Sequence, residues 1–510
     1  MHRRIADAGA VTAALRGYPS SMSSTTADVA LVGAGIMSAT LVTLIQRLEP
    51  DWSVEVFEAL DGAAQESSNA WHNAGTGHAG FCELDYATPL PNGTLEVTNA
   101  VTINEQFQIT RQLWSSLLSK GVLPTAETFV HSTPHLAFVS GAQDVAFLRQ
   151  WYDALKGEPL FANLRYSDSR DEIGQWSSAL VQGRDANEPI AATYEASGSD
   201  VDYGALARAL IDAAAPAGAA VHLQHRVVDL DRDGDAWRIT HRSPAGTGTS
   251  RARFVFVGAG GGALQLLQRA GIPEADGFAG FPVSGKFLRT RSPEVVAAHR
   301  VKAYGRAEQG VPGLGAPHLD YRTVEGEGSV LFGPFAGFDP RFLKNGSRLD
   351  LLRTIRAGNI GALLNVAVDN FDLVAYLVRE ITASKAKQMR ALRRMMPSAE
   401  AEDWELITAG QRVQVIAKDS RGRGRLQFGT ELVVSPDNGL AGLLGASPGA
   451  STAVSVMIRL LQQAFPDRST RWDGPLRELV PSLGRAMNTD EDWAMDIRRE
   501  TADALGLAGV

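Results

Sequence analysis

The chain has 510 residues, 44% hydrophobic and 21% charged, enough for two or three domains and too apolar for a low-complexity disordered protein. Its 49 Lys and Arg against 57 Asp and Glu give a net charge of −8, which excludes the basic surplus of a nucleic-acid binder. One cysteine, Cys82, excludes intrachain disulfides and a multi-cysteine metal site, and points to a reducing compartment.

Residues 1–27 are rich in Ala, Ser and Thr without the periodicity of a packed element, and Arg16 breaks the apolar part that a secretory signal would need. They read as a disordered extension, with Met22 an alternative start. Residues 29–32 (VALV) then form a buried parallel strand, and 36–48 a helix. Between them Gly33 permits a tight turn and Gly35 lets backbone approach a pyrophosphate at the helix N-terminus, beside Ile36 and Met37. Ser38 stands where a third glycine is usual and is small enough for close packing. A second strand, 53–57, ends at Glu58, a carboxylate placed to hold ribose hydroxyls and repel a 2′-phosphate. This favours FAD or NAD over NADP.

Residues 203–214 read as a helix, 221–230 as a strand carrying Val228, and 231–241 as a turn with a returning strand. The strand 253–257 enters a glycine run containing Gly258 and Gly260. No strand ending in an acid follows, so the run packs against the same cofactor rather than building a second site, which favours FAD. A last glycine-rich turn, Gly445 to Thr452, contains Ser447, Gly449, Ala450 and Ser451 and precedes an apolar helix at 452–464. It is either a second helix N-terminus facing the flavin or an ordinary capped helix. No apolar run approaches the roughly 18 residues that span a bilayer, and no His or acid spacing suggests a metal site.

Six segments in order resemble the signatures of malate:quinone oxidoreductases: 67–89 (SSNAWHNAGTGHAGFCELDYATP), 281–288 (FPVSGKFL), 317–322 (PHLDYR), 331–335 (LFGPF), 403–414 (DWELITAGQRVQ) and 444–453 (LGASPGASTA). Tyr321, where Thr is expected, and Lys286, where a bulkier or uncharged residue is common, are departures. The resemblance implies an α/β flavoprotein related in fold to D-amino-acid oxidase: a Rossmann-like FAD domain plus a substrate domain of antiparallel sheet and helices. It implies oxidation of (S)-malate to oxaloacetate, with a hydride passing from C2 to flavin N5 and electrons going on to membrane quinone. The expected FAD domain is 28–92, 198–278 and 400–466, and the substrate domain 93–197 and 279–399. A polar appendage occupies 467–510.

That chemistry needs a base titrating near neutrality and cations for two carboxylates. On a strand, His318, Asp320 and Arg322 share one face. The pattern alone favours a half-buried strand with a solvated polar face; the resemblance reverses that preference and favours His318 as base. His78, between glycines, is the second candidate base. Ser68, Asn69, Asn73, Thr76 and Gly77 in the same segment are candidate cofactor contacts, the polar ones being common turn formers too. Arg412 resembles the strand arginine that holds substrate carboxylate in amino-acid oxidases, with Arg322 or Lys286 as the second cation. Cys82 reads as a buried thiol, with covalent flavin attachment the alternative. Basic and apolar residues alternate across 383–396, which is either a membrane-facing surface or a helix covering the core. The resulting expectation is a cytoplasmic protein, peripheral on the inner face of the cell membrane. The rival functions are oxidation of another 2-hydroxy acid such as 2-hydroxyglutarate, or a non-catalytic FAD-binding platform.

Overall fold

In the strand Ala27–Val32, Val29 and Leu31 enter the core beneath the helices Ile36–Leu48, Tyr203–Ala214 and Ala453–Ala464. Ala30 and Val32 enter a second core on the opposite face with Leu264 and Leu267. Both faces are therefore covered, the condition under which parallel strands occur. The computed structural model describes residues 26–307, 316–369, 384–418, 423–427, 429–445 and 449–509. The expected extension lies outside the described residues up to Thr25, while Ala27 already pairs with Ala252.

Ala27–Val32 lies between two parallel neighbours, Val54–Phe57 and the end of Gly246–Val257. Ala220–His222 extends one side and Leu440–Gly445 the other, both parallel. The predicted strand 221–230 is two strands, Ala220–His222 and Arg226–Asp233. The second begins an antiparallel meander through Ala236–Ser243 into Gly246–Val257.

The second sheet has nine strands. Its centre is Glu405–Lys418, Ala279–Thr290, Glu327–Gly337, His318–Val324 and Lys302–Tyr304, successive neighbours being antiparallel. His135–Ser140 then joins in parallel, followed by Ile190–Tyr194 and Arg165–Ser167. Glu405–Lys418 and Gly424–Gln427 thus belong to this sheet, although the sequence places 400–466 with the FAD domain.

The C-terminal segment is not an appendage. Helices Ser469–Leu479 and Glu491–Leu505 bury Trp472, Leu476, Leu479, Ile497 and Leu505 in the first core. Arg498, fully buried, bonds Glu195 Oε1 at 3.0 Å and Ser197 Oγ at 2.7 Å. In the basic helix Lys385–Met395, Met389, Leu392 and Met395 pack against Leu288 and Phe332 of the second sheet. Of the two sequence readings of 383–396, the apolar half follows the helix that covers the core.

Candidate active site

A cavity of about 1650 Å³ is lined from both sheets. That exceeds the roughly 300–1,000 Å³ of a drug-sized pocket. At one end the chain turns at Gly33, whose φ of +97° suits glycine and whose Cβ, if present, would lie 2.6 Å from the Gly258 carbonyl oxygen. A Cβ on Gly258 would lie 2.3 Å from Ser38 Oγ. Ser38 therefore packs helix against strand and does not line the cavity. Gly33, Gly35, Ile36, Met37, Val228, Gly258 and Gly260 do. Glu58 lines it as well, and its carboxylate accepts the Ala34 N–H at 2.8 Å and the Leu60 N–H at 2.9 Å. Ser68 Oγ accepts the Ile36 N–H at 3.0 Å.

A second helix N-terminus faces the same space: Gly445, Gly449, Ala450, Ser451 and Thr452 line the cavity ahead of Ala453–Ala464. Ser447 lies outside the described residues. Neither this helix nor Ile36–Leu48 is capped by its N-cap side chain, so both present N–H groups where anionic groups bind well. On the opposing strand Gln411 Oε1 and Gln414 Oε1 are buried without a hydrogen-bond partner among the described residues. Two helix N-termini without a cap from their own N-cap residues, a carboxylate at a strand end and amide oxygens without a partner among the described residues suit the pyrophosphate, ribose and ring edge of an FAD.

At the other end of the cavity, cross-strand pairing sets the chemistry. Tyr304 and His318 are register partners, and their rings stack with centroids 4.5 Å apart and planes 9° apart. His318 Nδ1 contacts Asp320 Oδ2. Burial alone would raise the Asp320 carboxyl, but His318, Lys302 and Arg322 outweigh it and hold the group below its usual value. His78 forms a second pair of this kind: its Nδ1 contacts Glu83 Oε1, its backbone N–H donates to Ser451 Oγ at 3.0 Å, and its ring meets Tyr304 edge-on. Burial would raise Glu83 too, and bonding to His78 holds it low. Thr76 Oγ1 bonds Tyr304 Oη at 2.7 Å, and the Thr76 carbonyl accepts from Tyr203 and Ser451.

Arg412 lines this end and makes no hydrogen bond or ion pair with any described residue. Burial lowers its pKa below the ordinary guanidinium value. A half-buried guanidinium without a partner among the described residues is costly unless an anion meets it.

Arg322 is in a different place. Fully buried, it forms an ion pair with Asp200 Oδ1 at 2.8 Å and donates to the carbonyls of Ala70 (2.6 Å), Asn73 (2.7 Å) and Val201 (3.3 Å). Lys302, also fully buried, pairs ionically with the same Asp200 oxygen at 2.9 Å and donates to the Ala74 carbonyl at 2.8 Å. These two cations fasten the backbone of the 70–76 loop to the second sheet, so Arg322 is a loop clamp with no group facing the cavity. Lys286 does not line the cavity either. Asn69 and Asn73 close turns: Asn69 Oδ1 accepts the Trp71 N–H and Asn73 Oδ1 accepts the Gly75 N–H, each at 3.0 Å. Gly77 packs against Ser199 and Phe107, and Cys82, wholly buried with its thiol pushed up by burial, also lies off the cavity wall.

Gly75, at φ +61°, has no room for a Cβ, which would sit 2.3 Å from Arg322 Cζ. Gly75→Ala should therefore cost about 1–3 kcal/mol of backbone strain alone. A thermal melt followed by cofactor release will show it as a lower midpoint; an unchanged midpoint means the loop is not clamped.

Sequence reasoning missed Glu83, Tyr304, Gln411 and Arg306. Arg306 lines the cavity two residues beyond Tyr304, bonds Asp144 Oδ1 at 2.7 Å and lies 3.8 Å above the Phe147 ring. The parity of the short strand Lys302–Tyr304 was the one signal available for Tyr304.

The profile of the malate:quinone oxidoreductase family matches residues 25–507. This chain belongs to that family. A probable malate:quinone oxidoreductase of Leifsonia xyli subsp. xyli is 52% identical over 96% of this chain and 100% of its own length. One from Micrococcus luteus is 49% identical over 96% and 100%. Among solved structures, the L-α-glycerophosphate oxidase of Mycoplasma pneumoniae with FAD bound superimposes with a TM-score of 0.55 at 14% identity. It covers 86% of this chain and 95% of that one, and at this identity the likeness concerns the fold. Among the described residues no helix is long and apolar enough to cross a membrane.

Proposed function

We propose that this chain oxidises (S)-malate to oxaloacetate with FAD and passes the electrons to a membrane quinone, working as a peripheral protein on the inner face of the cell membrane. The observation that carries the reading is Arg412, a guanidinium without a partner among the described residues, in the same cavity as His318, which Asp320 backs from behind the wall. Family membership supports the substrate pair.

Bound FAD supplies the acceptor for the two electrons of the malate C2–H bond. The nucleotide would be held by the helix N-terminus at Gly35–Met37, by Glu58 at the ribose and by the turn at Gly449–Ser451. Arg412 forks onto the C1 carboxylate and fixes which face of C2 is presented. Asp320 holds His318 through Nδ1, which leaves Nε2 as the acceptor for the C2 hydroxyl proton and stabilises the imidazolium that forms. Tyr304 stacking keeps the imidazole plane fixed. Arg306, steadied by Asp144, is the cation for the distal carboxylate in place of Arg322 and Lys286. His78 with Glu83 is the alternative base.

The test is anaerobic. (S)-Malate should bleach the visible flavin band of the purified holoprotein, while 2-hydroxyglutarate leaves it largely unchanged. A flavin that malate cannot reduce, or that 2-hydroxyglutarate reduces as fast, overturns the substrate reading.

A further inference from the structure

Large apolar side chains rarely cluster on a soluble surface without a partner. Eight are exposed among the described residues, and five of them (Phe338, Leu349, Leu352, Ile360 and Leu364) lie between residues 338 and 364. Leu352 and Leu364 are each 62% exposed, Leu349 and Ile360 each 50%. Leu349 and Leu352 are one helical turn apart, as are Ile360 and Leu364 on the helix Ile360–Asp369. Asn359, buried between the two pairs in sequence, donates its Nδ2 to the carbonyls of Thr354 and Phe278, each at 2.8 Å.

The charge around this patch is the reverse of the chain's. Between 338 and 366 five cations face two acids, within a protein of net charge −8. Both acids are occupied locally: Asp339 takes the Arg341 guanidinium, and Asp350 Oδ2 accepts the N–H groups of Phe342 and Ser347. Arg348 and Arg353 are exposed beside Leu349 and Leu352. The same segment forms part of the cavity wall through Leu343, Ser347, Asp350 and Arg353.

We propose that this basic apolar face, from Phe338 to Leu364, is where the protein docks on an anionic lipid bilayer. The proposal rests on the membrane-quinone reading above and gives it a location. Apolar side chains would enter the headgroup boundary while Arg348 and its neighbours meet lipid phosphates. The cavity wall then stands at the bilayer surface, so a lipophilic acceptor can approach without crossing water. The basic helix Lys385–Met395 offers only charge, because its methionines are buried.

The holoprotein is sedimented with vesicles of phosphatidylcholine alone and with added phosphatidylglycerol. Wild type should bind the anionic vesicles, and L352E/L364E should weaken that binding at least about tenfold. Malate-driven reduction of a water-soluble dye should be unchanged, since neither leucine lines the cavity. R348E, a milder surface change, should weaken binding in the same direction and serves should the double variant fold poorly. R390E, on the other basic surface, should bind as wild type does. If wild type binds and L352E/L364E and R348E bind equally well, the face is wrong and the membrane reading stands. If wild type binds neither vesicle, both fail. If L352E/L364E instead converts a dimer to a monomer by light scattering, the face is a contact between two copies.

Discussion

His318→Gln will slow malate-dependent flavin reduction about 100-fold or more, the ordinary contribution of a positioned base, while the FAD content stays at the wild-type level. The substitution keeps a side chain of similar reach against Tyr304 but removes the nitrogen that takes the hydroxyl proton. Asp320 cannot substitute for it: its carboxylate is fully buried beneath His318 and lies off the cavity wall. Held below its usual value, Asp320 stays ionised under assay conditions, so its role is to orient the imidazole. Asp320→Asn should therefore reduce the rate less than His318→Gln does. His78 supplies the internal comparison, because it carries its own carboxylate partner and reaches the same cavity. His78→Gln should slow flavin reduction less than His318→Gln. Stopped-flow reduction with saturating malate decides: a larger defect in His78→Gln moves the base to the Ser451 side of the site.

Much of this arrangement leaves local marks in the chain. The turn at Gly33 shows because only glycine suits its backbone and its contact with Gly258, and the strand before it shows because both faces are buried. Period two places His318 and Asp320 on one face, and they touch. The same periodicity puts Arg322 on that face and cannot tell cavity from loop, because its partners Asp200, Ala70 and Asn73 come from remote segments. Glu83 sits in an irregular stretch where no spacing announces its contact with His78. Sheet membership of Glu405–Lys418 is decided by pairing with Ala279–Thr290, a non-local event. The helix Ser469–Leu479 carries Trp472, Leu476 and Leu479 at helical spacing among charged residues, a pattern masked by the segment's overall polarity. For 383–396 the two readings share one amphipathic sequence, and burial of the methionines separates them.

The two arginines that the sequence treats alike should fail in opposite ways. Arg412→Lys should lower kcat/KM for malate about 100-fold, equivalent to ~2.7 kcal/mol of transition-state stabilisation. Lysine keeps the charge but cannot offer two parallel donors to one carboxylate. Because Arg412 has no partner among the described residues, the melting midpoint should not fall. Arg322→Met should instead destabilise the fold by about 3–5 kcal/mol, as expected when one partner of a buried ion pair is removed. Asp200 would keep Lys302 and the Thr323 N–H, and the carbonyls of Ala70 and Asn73 would lose their Arg322 donor. The released 70–76 loop carries Thr76, so FAD retention should fall with stability, and KM for malate should stay near wild type in whatever holoenzyme survives. A normal melt with a raised KM in Arg322→Met would put that guanidinium on the substrate. A lowered melt with normal malate kinetics in Arg412→Lys would make Arg412 structural and leave the carboxylate to Arg306.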